Sequence, residues 1–135
     1  MWGDPVLHCR HFTIADGLFV IEDRLEGKRR HRIETLFQWS SDLVLARESE
    51  ATLSFHSKDV GKRVHGTLRL VCGNRPANDE SSPQIMLCSG QVAPYRAGWF
   101  FPGYGQEVRS TTSIFEVTGQ LPMAQRYILQ MEAIG

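Results

Sequence analysis

The sequence predicts an all-β fold, an antiparallel β-sandwich of roughly nine or ten short strands, on three observations. Apolar residues recur with period two far more than with period 3.6, the periodic stretches are short, and Gly, Pro, Asn and Asp cut them at close spacing. Strands this short and numerous must close into a barrel or stack as two sheets, because an isolated sheet leaves one apolar face in water. Stacking is the expected arrangement. At 135 residues and 41% hydrophobic content, one domain spanning 1–135 with a real core is expected, and folding buries roughly two-thirds of the unfolded chain's surface.

The elements follow in order. Ala15-Asp16-Gly17 is a turn signal, since Gly tolerates positive φ and Asp bonds its own backbone, so Val6 to Thr13 and Leu18 to Asp23 form a hairpin. Leu25-Glu26-Gly27-Lys28 is the next turn. From His31 the alternation is clear, with His31, Ile33, Thr35, Phe37 and Trp39 on an inward face and Arg32, Glu34, Leu36 and Gln38 on the other. Further strands are expected at Leu43 to Ala46, Ala51 to Phe55, Thr67 to Cys72, Gln84 to Ser89, Thr112 to Thr118 and Gln125 to Met131. Leu43 to Glu50 is long enough for two helical turns, but Leu43-Val44-Leu45 favours a strand. The polar stretch Gly73 to Pro83 reads as a flexible surface loop.

Fifteen Lys and Arg balance fifteen Asp and Glu, so no global field draws the chain to nucleic acid or to an anionic membrane. No apolar run approaches the roughly 20 residues that cross a bilayer, and Met1-Trp2-Gly3-Asp4-Pro5 lacks the basic-then-apolar order of a signal peptide. Cys9, Cys72 and Cys88 are an odd number without a close pair, which argues against a disulfide framework or a metal knuckle and for small buried hydrophobes. His8 and His11 sit three apart, a spacing that sends strand residues to opposite faces; His31, His56 and His65 can converge only through tertiary structure. No metal and no cofactor is expected.

The common catalytic signatures are missing: there is no HExxH, GxSxG or GxGxxG, and Gly61-Lys62 lacks the rest of a phosphate loop. Two segments remain as binding candidates. The basic run Lys28, Arg29, Arg30, His31 and Arg32 offers paired donors to a sulfate or a uronate carboxylate; otherwise it is a solvated hairpin end, the favoured alternative, because Glu22, Asp23, Glu26 and Glu34 offset its field. The segment from Arg96 to Gly105 holds four aromatics, three glycines, one proline and one arginine. Trp99 and Tyr104 offer faces to sugar rings while Arg96 bonds hydroxyls or acidic groups; alternatively Trp99 and Phe101 plug one end of the sandwich.

Three stretches together resemble the C-terminal β-domain of heparinase II/III-like polysaccharide lyases. They are Phe19 to Gly27 followed by His31 and Leu36-Phe37, then Gly98-Trp99-Phe100-Phe101-Pro102-Gly103-Tyr104-Gly105, then Gly119-Gln120-Leu121-Pro122 before an apolar strand through Ile128 and Leu129. The chain departs from that pattern at Gln38, where members often have His, and at Phe101, where they often have Ser. The resemblance implies a β-sandwich that packs against an (α/α) toroid and helps frame a groove for acidic polysaccharide, cleaved in complete members by β-elimination. The groups for that chemistry sit mostly on the toroid, which needs some 300 further residues. Matching positions Asp23, Gly27, His31, Tyr104 and Gly105 look like turn, strand-start and corner determinants.

What the resemblance implies is therefore the isolated C-terminal β-sandwich portion of a heparinase II/III-like protein, noncatalytic alone and at most an accessory to acidic-polysaccharide binding or breakdown. Its alternatives are a free-standing carbohydrate-binding module using Arg96, Trp99 and Tyr104, and a subunit that docks a separate helical partner through an apolar patch.

Overall fold

The computed structural model describes residues 4–59, 63–73, 83–90, 98–100, 105–106 and 108–134. Among them are eleven strands and no helix: β1 (Leu7–Ala15), β2 (Leu18–Glu26), β3 (Arg30–Gln38), β4 (Leu43–Arg47), β5 (Thr52–Ser57), β6 (Arg63–Gly73), β7 (Gln84–Ser89), β8 (Trp99–Phe100), β9 (Val108–Arg109), β10 (Thr111–Gln120) and β11 (Met123–Ile134). All pairings are antiparallel. One sheet runs β1-β2-β11-β6-β5-β4, a second runs β3-β10-β7, and β8 and β9 form a two-stranded ribbon. The first two sheets pack face to face, so the fold is the expected all-β sandwich.

The first turn forms as its chemistry requires. Asp16 and Gly17 both have positive φ, 51° and 76°, the pair of angles that lets a two-residue loop match the twist of its strands. It fixes an unbroken register from Ala15 opposite Leu18 to Leu7 opposite Glu26. β2 therefore runs three residues beyond Asp23, which lies inside the strand and not at a turn.

The turn at Gly27 to Arg29 is not a hairpin end. It carries the chain from β2 in the large sheet to β3 in the small one. The crossing is pinned from the β10–β11 turn, where the Leu121 N–H donates to the Arg29 carbonyl (3.0 Å) and the Gln120 side chain to that of Lys28 (2.8 Å).

Between the sheets lies a core of Ile21, Leu53, Leu68, Leu70, Phe115, Val117 and Tyr127. Phe37 meets Phe115 and Tyr127 edge to face, with ring centroids 5.8 and 5.1 Å apart, and Phe115 meets Tyr127 at 5.3 Å. Such edge-on contacts suit the ring quadrupoles and add roughly 0.5–1.5 kcal/mol each to simple burial. Gly66 has a packing reason: a Cβ there would lie 2.2 Å from the Gln130 carbonyl oxygen and 2.6 Å from Cζ of Phe55. The inward alternation of β3 is as expected, and Trp39 donates its indole N–H to the fully buried Ser113 hydroxyl (2.8 Å).

Three strands cannot cover six. The core reaches β2, β11, β6 and β5, but every residue of β1 is exposed. Cys9 is consequently exposed, correcting its expected burial, whereas Cys88 is buried as expected. The side chain of Cys72, the Gly73 to Pro83 loop apart from its two end residues, and Gly61-Lys62 lie outside the described residues.

Candidate functional site

On β3, Arg30, Arg32, Glu34, Leu36 and Gln38 alternate to the outer face of the small sheet. The register places Glu34 opposite Glu116, Leu36 opposite Ile114 opposite Met86, and Gln38 opposite Thr112 opposite Cys88. The face therefore has three zones. At one end Arg32 donates through Nη2 to both Glu34 and Glu116, bridging two carboxylates that would otherwise repel across the strands. An apolar strip crosses the middle, with Leu36 and Met86 half exposed around buried Ile114.

At the far end the aromatic segment is tied down. The Gln38 amide donates to the Trp99 carbonyl (3.0 Å) and to the Ser110 hydroxyl. Its oxygen accepts the Thr112 hydroxyl (2.7 Å), which in turn accepts the Gly98 N–H (2.9 Å). Gln38, a departure from the lyase pattern, is thus the hub that holds the β8–β9 ribbon. Gly98 can be only glycine: its φ is +77°, and a Cβ would lie 2.5 Å from the Cys88 carbonyl and 2.6 Å from Cα of Ser89. Gly98→Ala should strain this junction by about 1–3 kcal/mol. We expect a shifted Trp99 emission maximum with little loss of the core transition by circular dichroism; an unaltered spectrum would count against the tie.

Of the expected sugar-binding residues, the structure describes Trp99, half-buried on β8 with its backbone carbonyl held by Gln38 at the end of this face. Arg96 and Tyr104, like Phe101, lie outside the described residues. Of the basic run, Arg30 and Arg32 share the outer face, while Lys28 and Arg29 belong to the crossing between sheets. Of the four acids expected to offset the run, Glu34 pairs with Arg32 and is joined by Glu116, whereas Asp23 pairs with Arg10 and Glu22 with Arg126. His31 faces inward from β3 and pairs with Asp4 (2.8 Å).

The histidines do not assemble. His56 lies opposite His65 on the outer face of the large sheet and His65 is 3.2 Å from Glu132, whereas His31 is on the other sheet. Among the described residues no group of three His, Cys, Asp or Glu side chains is placed to hold a metal ion.

One cluster was missed by the sequence reading. Asp23, 2% exposed, accepts Arg10 Nε (2.6 Å) and Nη2 (2.9 Å), and His8 Nε2 lies 3.1 Å away. They line a cleft of about 270 Å³ between β1 and the β3 edge residues Ile33, Glu34 and Thr35. Burial alone would raise the Asp23 pKa, but the hydrogen bonds from Arg10 and His8 outweigh it and hold the carboxyl below the ordinary aspartate range. The same bond raises the Arg10 guanidinium further. Arg10 and His8 are thus committed to an internal acid, so the cluster anchors β1 instead of presenting cations to a ligand. The signal was available: a two-residue Asp16-Gly17 turn sets Arg10 opposite Asp23.

Neither protein-family models, nor curated proteins, nor solved structures give a match to this chain.

Proposed function

We propose that this domain is a non-catalytic β-sandwich module that binds acidic polysaccharide along the outer face of its small sheet. The observation that carries the reading is a convergence. Arg30 and Arg32 of the basic run and the Gly98 to Phe100 part of the aromatic segment, far apart in sequence, meet on one face, with the Gln38 bond to the Trp99 carbonyl spanning 61 residues. From Arg32 to Gln38 is six strand steps, roughly 20 Å, long enough to engage several linked sugars.

Half-buried Trp99 brings an aromatic residue to the end of this face, the Leu36 to Met86 strip brings apolar surface for C–H faces, and Arg30 and Arg32 bring guanidinium groups, that of Arg32 shared with Glu34 and Glu116. Because Glu34 and Glu116 offset Arg32, affinity comes mainly from stacking and hydroxyl contacts, with a modest salt-sensitive part from the basic residues. The ordered stretches that resemble heparinase II/III-like lyases support the same ligand class, in a body that leaves the chemistry to another.

Titration with oligouronates, followed by tryptophan emission and by heat, tests the reading. Binding is expected, with Trp99→Ala weakening it about tenfold or more and Arg32→Gln weakening it less. Unchanged emission together with no heat would remove the proposal. No double-bonded uronate product should accumulate at its ultraviolet absorbance; steady accumulation would overturn the non-catalytic part.

A further inference from the structure

We propose that β1 pairs antiparallel with the β1 of a second copy about a two-fold axis, joining the two large sheets edge to edge. Exposed sheet edges are ordinarily protected by charge, proline, bulges or shortness. β4 is only five residues long and ends in Arg47, β7 has six residues, and β3 carries Arg30, Arg32 and Glu34. β1 has less of this protection: its one permanent charge, Arg10, is turned to the buried Asp23 and matched by it. It runs nine residues in register with β2 without a bulge, and holds no Lys, Asp, Glu or Pro. Apolar side chains stand on both of its faces, with Leu7 58%, Phe12 60% and Ile14 79% exposed.

The charge pattern selects a second copy as the occupant. The one permanent cation of the strand, Arg10, is already matched by Asp23, so an acidic peptide gains little from it and a copy is not repelled. A two-fold axis through His11 uses all nine residues. It sets Arg10 opposite Phe12 of the second copy and His8 opposite its Ile14 on one face; on the other it sets Cys9 opposite Thr13 and His11 opposite His11. A guanidinium held rigid by Asp23 then lies beside an aromatic ring that stacks on Phe19 (5.8 Å). One strand pair of about 30 Å buries less than the roughly 800 Å² per partner of a stable complex. The dimer is therefore concentration-dependent.

Sedimentation of the whole chain from low to high micromolar concentration is expected to show a monomer passing to a dimer. Ile14→Lys should hold it monomeric with an unchanged melting temperature, since that position is exposed, and Val44→Lys on the β4 edge should leave the dimer intact. Thr13→Cys reads the register: with oxidised glutathione as oxidant, the new thiol and Cys9 of the second copy should close a disulfide that the unsubstituted chain does not form. A monomer at every concentration, or a dimer untouched by Ile14→Lys and not linked through Thr13→Cys, would overturn the proposal.

Discussion

Phe115→Ala is expected to lower stability by about 3–5 kcal/mol, the range for truncating a large aromatic in a packed core. Phe115 has no exposed surface and sits on the central strand of the small sheet, where its ring meets both Phe37 and Tyr127. Removing it opens a cavity in the interface between the sheets, and the neighbours that would collapse into it are held in place, Tyr127 by ladders on both sides of β11 and Phe37 by the ladder to β10. Denaturant unfolding should show a lower midpoint with the slope retained. Phe12→Ala in dilute solution should change stability by about 0.5 kcal/mol or less, because that ring is mostly in water. Equal losses at the two positions would mean that the sheets are not packed as described.

Arg10→Ala should cost about 2–3 kcal/mol at neutral pH, although Arg10 lies on an exposed edge strand. The loss comes from what stays behind: Asp23 keeps its burial and loses two hydrogen bonds. The pH dependence carries the sign of the effect. In the unsubstituted chain the folded carboxyl lies below its unfolded value, so its stabilisation is complete above the ordinary aspartate range and fades as the pH falls through the folded value. Without Arg10, burial is opposed only by His8, the folded value rises, and stability should stay level or increase as the pH falls toward that range. Stability curves from chemical unfolding between neutral and mildly acid pH decide it. Replacing both partners, Arg10→Met with Asp23→Leu, should recover most of the loss, since no charge is then left unpaired. A double substitution as damaging as the single one would show that Arg10 acts by other contacts.

These two positions also mark what the sequence discloses. Phe115 is visible as part of the alternating run from Thr112, and the inward face of β3 is legible residue by residue, because burial on one side of a strand imposes period two directly on composition. The hairpin at Asp16-Gly17 is equally open to inspection. Strand partnership is not: that β2 and β3 belong to different sheets depends on where β11 docks, and alternation is the same in either arrangement. β8 and β9 are too short to show any period. Asp23 reads as a turn residue by type, and only the partner across the ladder shows it to be a buried ion. For the candidate site, the basic and aromatic segments were each visible alone, and their shared face became visible only with the register of β10.

The position of β11 has a consequence for how this body comes into being. It lies between β2 and β6, pairing Leu25 with Met123, 98 positions later in the chain. Until that strand is in place, the β1–β2 hairpin has no neighbour and no half of the large sheet can hold the other. Assembly must therefore wait on loop closures spanning most of the chain, which places this domain among slow folders and leaves its early hairpin exposed to wrong partners in the interval.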